Sequence, residues 1–252
     1  MKTSAIYIIW YRNVLKYFRM KSRIIGSLGM PFFFLVIIGF GLDSAVSLSP
    51  DMTTSYVDFI APGIIAMSIL FSSVFSGVQL VIDKQIGFLK ETLVAPVSRL
   101  DLMLGQALGG ATTAMIQGLL VFIISLAIGL EVPSAVGILI ALLFMFLIGL
   151  SFTSVGIAFA SRMEDTHGFQ LIVNFLLFSV FFLSGALFPL EKIPGWLSVL
   201  TYIDPLTYGV EGIRYGMLGA SQLSPLLSFG ALGGFLVVML FLGAFLFKRI
   251  KI

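Results

Sequence analysis

The side chains able to do covalent or metal chemistry are few in this sequence and poorly placed for it. There is one histidine, His167, and no cysteine. A serine nucleophile needs a neighbouring base and a metal needs several ligands, and one imidazole in a short polar stretch supplies neither. No pair of Asp or Glu at i, i+3 or i+4 falls inside an apolar block, which removes carboxylate metal sites and proton relays. The phosphate-loop pattern G-x-x-x-x-G-K-[ST] is absent. The expectation is a chain that is not an enzyme, with no catalytic residue, no metal and no cofactor of its own.

The polar residues that remain are grouped at three places. Arg12, Lys16, Arg19 and Arg23 recur at spacings of four, three and four, which puts them on one face of a continuous helix with Ile6, Trp10, Val14 and Tyr17 roughly opposite. Residues 1–23 therefore read as an interfacial helix lying in the membrane surface, apolar side in the headgroup boundary and cations toward lipid phosphates. Nucleic acid is a poor partner for it, because the cations directly precede a long apolar block and the net charge is only +3. Residues 83–101 mix charges with Ile86, Phe88, Leu89, Leu93 and Val94 and read as a short amphipathic helix that stops before Pro96. Glu211 and Arg214 stand three apart on another helix face.

The elements that position these groups follow from composition. Of the 252 residues, 59% are hydrophobic and 11% charged, and the mean hydropathy is +1.10. A soluble domain carries about 25% charge, so this chain needs lipid as its solvent. Six apolar blocks, at 24–42, 57–82, 106–130, 135–160, 169–190 and 226–247, each match the ~20 residues a helix needs to cross a bilayer. They are apolar on every side, which rejects the alternating pattern of a barrel. The fold class is all-α, a polytopic membrane protein with six transmembrane helices forming one domain over 1–252.

Basic residues orient the spans, since they accumulate on the cytoplasmic side. Before the first block, after the second and fourth, and after the sixth lie thirteen of the 15 Lys and Arg, leaving Lys192 and Arg214 for the other side. Both termini are expected in the cytoplasm of a plasma or inner membrane protein, and nothing near the N-terminus resembles a cleavable signal.

Residues 188–225 fit neither a solvated loop nor a span. Pro189, Pro194 and Pro205 punctuate them, and Trp196, Tyr202, Tyr208 and Tyr215 favour the membrane interface. They read as re-entrant or interfacial helices on the outer side between spans five and six, packed against protein because lipid cannot satisfy irregular backbone. Phe181, Phe182 and Phe188 are candidates for a greasy substrate path, with lipid-facing filler as the plainer reading. Gly105 with Gly109, Gly212 with Gly216 and Gly230 with Gly234 allow close helix approach, for which packing within the chain is the expected use.

Two stretches carry a family resemblance. Residues 87–99, Gly-Phe-Leu-Lys-Glu-Thr-Leu-Val-Ala-Pro-Val-Ser-Arg, followed by Gly105, resemble the loop after the second span of type-2 ATP-binding-cassette exporter permeases. Ser184 to Pro189, then Pro194, Trp196 and Leu197, then Asp204, Pro205, Leu206, Thr207 and Tyr208, then Arg214, are similar to that family's signature in its daunorubicin-resistance and nodulation-exporter branch. Asp204 stands where the family usually has Asn, another short polar capping side chain, and Gln106 where lysine is common.

The resemblance implies a permease that pairs with a second permease chain, as a homodimer before a heterodimer, above two ATPase subunits that hold the ATP and Mg. Gly87, Phe88, Leu89, Lys90, Glu91, Thr92 and Leu93 would be the coupling helix in an ATPase groove, with Phe88 and Leu89 as anchors and Glu91 as charge partner. The helix bearing Trp10, Arg12, Lys16, Arg19 and Arg23 would flank that contact. Pro189, Pro194, Trp196, Asp204, Pro205, Tyr208 and Arg214 would form the outer gate, for which a structural turn cluster is the plainer reading. The expected cargo is hydrophobic or amphipathic, a drug, a lipid or a lipid-linked glycan. A self-contained secondary carrier and a non-transport scaffold are the alternatives.

Overall fold

The computed structural model describes residues 3–43, 55–94, 97–130 and 134–250; the side chains of Arg23, Lys90, Leu93 and Val94, and the expected stop at Pro96, lie outside that description. It is all-helical, 87% helix with no strand among the described residues. Among the described residues, six helices are long and apolar enough to cross a membrane.

The N-terminal helix α1 (Thr3–Arg19) ends at Met20, whose φ of −97° and ψ of 67° are not helical, and α2 (Lys21–Phe33) restarts one residue later. Arg23 therefore belongs to a different helix from Arg12, Lys16 and Arg19, which corrects the single four-residue basic face: one non-helical residue resets the register. Pro31 lies inside α2, and three residues on the helix widens into a π-turn at Phe34–Gly39 before α3 (Phe40–Asp43). Such a turn locally relaxes a strained helix. Together these pieces form the first span, Ile24–Leu42.

The second span, Tyr56–Gln85, is the centre of the bundle and divides at Ser76 into α4 (Tyr56–Phe75) and α5 (Gly77–Gln85). It is buried almost throughout α4, packed by the third and fourth spans and by the outer segment. Glycines make that possible. A Cβ on Gly77 would stand 2.5 Å from the Gly156 carbonyl oxygen, and one on Gly156 would stand 2.5 Å from the Val74 carbonyl oxygen. The second and fourth spans thus cross backbone to backbone, the approach that small residues permit between membrane helices.

After the turn at Gly87, held at φ 78°, comes the short α6 (Phe88–Val94). The third span, α7 (Arg99–Ile128), starts seven residues before the apolar block expected at 106, because the Ser98 hydroxyl accepts from Asp101 N and caps it there. The fourth span is α8 (Ala135–Arg162) and the fifth α9 (Thr166–Leu183), the latter capped by Asp165. The fifth is shorter than the 169–190 block. Ser184 donates back to the Phe181 carbonyl and Gly185 turns the chain at φ 68°, so residues up to 190 are apolar without being span.

Two short helices follow, α10 (Gly195–Ile203) and α11 (Pro205–Leu218), and then the sixth span, α12 (Pro225–Lys248). The first, fifth and sixth spans line the outside, where Ile25, Phe32, Phe175, Phe182, Leu226 and Phe241 are exposed. In water such a surface would aggregate; in lipid it is solvated.

Candidate functional site

At the end of the bundle carrying α6, one arginine joins three elements. Arg12, on α1, donates through Nη1 to Asp83 Oδ2 at 2.9 Å and through Nη2 to Asp83 Oδ1 at 2.8 Å. Asp83 lies in the last turn and a half of α5 and is 1% exposed, and Gln79 Nε2 gives it a third hydrogen bond at 2.7 Å. The same guanidinium lies over the Phe88 ring of α6, 4.0 Å from its centroid. A planar fork suits this double duty, two parallel bonds in its plane and an aromatic face above it. Nothing in the sequence singled out Asp83, although a carboxylate at the end of an apolar span is a demand for a partner.

A seam along α7 holds α1 in place. A Cβ on Gly105 would stand 2.9 Å from Ile9 Cβ, and one on Gly109 2.8 Å from Asn13 Cβ, so the glycine pair serves packing within the chain. Trp10 Nε1 donates to Thr112 Oγ1 at 2.9 Å, Asn13 Nδ2 to Gln106 Oε1 at 2.6 Å and Tyr17 Oη to Gln117 Oε1 at 2.9 Å. Trp10 and Tyr17 therefore face protein, and the residues turned outward from α1 are Tyr7, Ile8, Tyr11 and Phe18. This corrects the expected headgroup-facing side. A glycine groove with hydrogen-bond partners takes the face that amphipathicity alone assigns to lipid, and Arg12 is spent on Asp83; Arg19 is exposed and Lys16 partly so.

Around this seam two cations close helix ends. Lys84 Nζ donates to the carbonyls of Ala160, Ser161 and Met163 at 2.7, 3.0 and 3.1 Å, capping α8. Arg99 Nη1 donates to those of Lys248 and Ile250 at 2.6 and 3.1 Å, capping α12. Positive charge at a helix C-terminus is favoured by the aligned carbonyls. In α6 itself Leu89 is buried in this chain's own core, Thr92 donates to the Phe88 carbonyl at 2.8 Å, and Glu91 and the neighbouring Ile86 are exposed.

At the opposite end a second arginine is fully enclosed. Arg214 pairs with Glu211, reaches the Gly185 carbonyl at 3.1 Å and lies over the Phe59 ring at 4.1 Å. Glu211 Oε2 accepts from Gln222 N at 2.6 Å and Leu223 N at 3.2 Å, and Gln222 Oε1 accepts from Leu190 N at 2.7 Å. One network thus ties α11 to the second span, to the turn after the fifth, and to the approach to the sixth. Asp204 and Pro205 start α11, Asp204 Oδ1 accepting from Leu206 N, and Tyr208 Oη donates to the Tyr202 carbonyl at 2.7 Å. Pro189 is buried, whereas Pro194 and Trp196 are exposed. Of the three phenylalanines, Phe181 is buried edge-on against Phe34 with the Phe182 ring 5.4 Å from its own, while Phe182 and Phe188 are exposed.

The family profile described as ABC-2 type transporter matches residues 4–218, from α1 through the last residue of α11. The chain belongs to that family of permeases. Nodulation protein J of Rhizobium meliloti (strain 1021) is 28% identical over 96% of this chain and 92% of its own length. The inner membrane transport permease YadH of Escherichia coli (strain K12) is 27% identical over 92% of this chain and 90% of its own. The ycf38 protein of Cyanophora paradoxa is 27% identical over 97% and 88%. The ycf38 and YadH relatives are transport permeases by name. In this permease the ends of the match coincide with the two arginine sites, Arg12 near its start and Arg214 near its finish.

Proposed function

We propose that this permease is the membrane half of an ATP-driven exporter. Two permease chains pair, as a homodimer before a heterodimer, and two separate ATPase subunits that bind ATP and Mg dock below the α6 end, on the cytoplasmic side with both termini. The observation that carries this is the Arg12 fork. A displacement of α6 by a docked partner is passed through one guanidinium to α1 and to the end of the second span together, and the second span runs through the centre of the bundle. Rigid-body shifts of this kind alternate access to a central path.

The fork also redistributes the roles in the coupling segment. Leu89 and Phe88 are engaged within the chain, so the surface offered to the ATPase centres on Glu91 and Ile86. At the other end, residues 189–219 close the exit, with α11 anchored by Arg214 and the exposed α10 as the part free to move. The spans hold few charges, which fits a hydrophobic or amphipathic cargo such as a drug, a lipid or a lipid-linked glycan.

Mass spectrometry of what copurifies with the tagged permease in mild detergent tests the reading. The expected companion carries a phosphate-loop motif and is lost in Ile86→Asp with Glu91→Arg, which alters only exposed side chains. A preparation without such a subunit, repeated after gentle crosslinking, overturns it in favour of a self-contained carrier or a scaffold. ATP-dependent uptake of labelled cargo into inside-out vesicles reads the direction.

A further inference from the structure

The second span ends in three consecutive polar residues, Asp83, Lys84 and Gln85, and they reach different neighbours. Asp83 holds α1 through Arg12. Lys84 and Gln85 hold the turn between the fourth and fifth spans. Lys84 Nζ donates to the carbonyls of Ala160, Ser161 and Met163, and Gln85 Nε2 adds the Glu164 carbonyl at 2.9 Å. Four of the five carbonyls from 160 to 164 are thus met by side chains of α5.

The partly buried lysine is the main part of this clamp, since Gln85 is exposed. An ammonium has three protons to donate, and here each has a carbonyl. The last carbonyls of a helix have no partner within it, and α8 leaves its helical path at Met163, with φ −101° and ψ 145°. Because α9 begins at Thr166, only residues 163–165 separate the two spans. So short a connection cannot absorb a displacement of the clamped end, and the start of the fifth span must follow it.

A second contact sets the angle between the helices. α5 crosses α8 backbone to backbone at Gly77 and Gly156, and Lys84 lies about 10 Å further along its helix. Two attachments that far apart fix orientation as well as position. The end of the second span and the end of the fourth therefore move as one body.

We propose that Lys84 is a positioning residue for transport, carrying a displacement of α6 to the cytoplasmic end of the fifth span while its neighbour Asp83 carries the same displacement to α1 and the first. Adjacent residues of one helix then keep the two outlying spans in step. The inference deepens the exporter reading and rests on it only in taking a docked ATPase as the source of the displacement.

Hydrogen exchange of the full chain in nanodiscs, read peptide by peptide, tests this. Lys84→Met keeps an apolar stem and removes every donor. It is expected to speed exchange about tenfold in residues 159–170, the scale of one net hydrogen bond, and to leave α1 as it was. Lys84→Arg, which keeps the charge and several donors, is expected to restore most of that protection. Fraying of α8 by itself would give the same pattern, so transmission is read by a cycle with Gly87→Ala. Gly87 sits at φ 78° with nothing within 4 Å of a Cβ, so alanine strains the turn between α5 and α6 without striking a neighbour. Gly87→Ala is expected to change exchange both in α1 and at residues 163–170; in the Lys84→Met background the change at 163–170 is lost and that in α1 is kept. Unchanged exchange at 159–170 in Lys84→Met overturns the clamp, and an equal effect of Gly87→Ala at 163–170 in both backgrounds overturns the transmission.

The copurified ATPase then supplies the natural displacement. ATP is expected to change exchange in α1 and at 163–170 of the unaltered permease, and in α1 alone in Lys84→Met; loss from both would assign Lys84 to docking and overturn the proposal. Failure to recover any ATPase from the unaltered permease sinks the exporter reading and leaves the Gly87 cycle to decide the role of Lys84.

Discussion

Arg12 shows how one side chain can be committed to several elements. Its partner Asp83 is enclosed, so removing the guanidinium strands a carboxylate away from water, whereas removing both charges does not. Arg12→Ala is expected to destabilise the permease by about 2 kcal/mol, below the 3–5 kcal/mol of a fully buried pair because Arg12 is partly exposed. Asp83→Asn should cost less, and the double variant should recover part of the Arg12→Ala loss. Thermal unfolding in nanodiscs reads all three, and an Arg12→Ala no worse than Asp83→Asn would mean that the fork carries no charge pairing of consequence. At the fifth-span cap, hydrogen bonds from Gly168 N and then His167 N hold the Asp165 carboxyl below its usual range. A lowered folded value means stabilisation that is complete above the unfolded pKa of about 3.9 and lost as pH falls through the folded one. Asp165→Asn keeps a capping oxygen and should abolish that acid-side loss in melts followed from pH 6 to 3.

Among the elements, α1 depends most on a neighbour. Its amphipathic pattern suits a membrane surface, yet it lies in a groove that exists because α7 has glycine at 105 and 109. A leucine at 109 meets Asn13 directly, the Cβ alone already at 2.8 Å. Gly109→Leu is expected to lift α1 from α7, part Arg12 from Asp83 and expose α1 to limited proteolysis while the six spans remain inserted. Protection equal to the unaltered permease would show that α1 is held by lipid. The contrast with Gly230 and Gly234, which have nothing within 4 Å, shows that the same four-residue spacing marks a packing seam only where a second helix occupies it.

For the whole molecule, the exposed apolar belt accounts for where lipid or a second copy sits. A cavity between the first and second spans opens on the face of the first span, and Gln170 of the fifth lines it. In the proposed pair a shared path runs along that face, and the second copy is expected to cover it. The chain has no cysteine, so a single cysteine reports cleanly. Phe175→Cys, on the fifth span, is expected to crosslink to itself between copies, and Phe241→Cys, on the sixth, is not. The reverse pattern would place the pairing face on the sixth span. The same approach fixes orientation: cysteines at Arg19 and Glu91 should react from one side of the membrane and one at Glu191 from the other.

The number of spans and the all-helical class were legible in the primary structure, because ~20 consecutive apolar residues admit few other solutions in lipid. The resemblance in residues 87–99 and 184–214 likewise led to the family that the comparisons support. Local pattern misjudged ends and faces: the fifth span stops at Leu183 although apolar residues continue to Leu190, and α1 turns Trp10 and Tyr17 inward. Hydropathy measures how well a residue tolerates lipid and not whether protein or lipid will cover it. Pairings across distance were invisible for the same reason. Arg12 with Asp83, Tyr17 with Gln117 and Arg214 with the Gly185 carbonyl join residues far apart in the chain, and which polar group completes which is decided only when close helix approach brings them within hydrogen-bond reach.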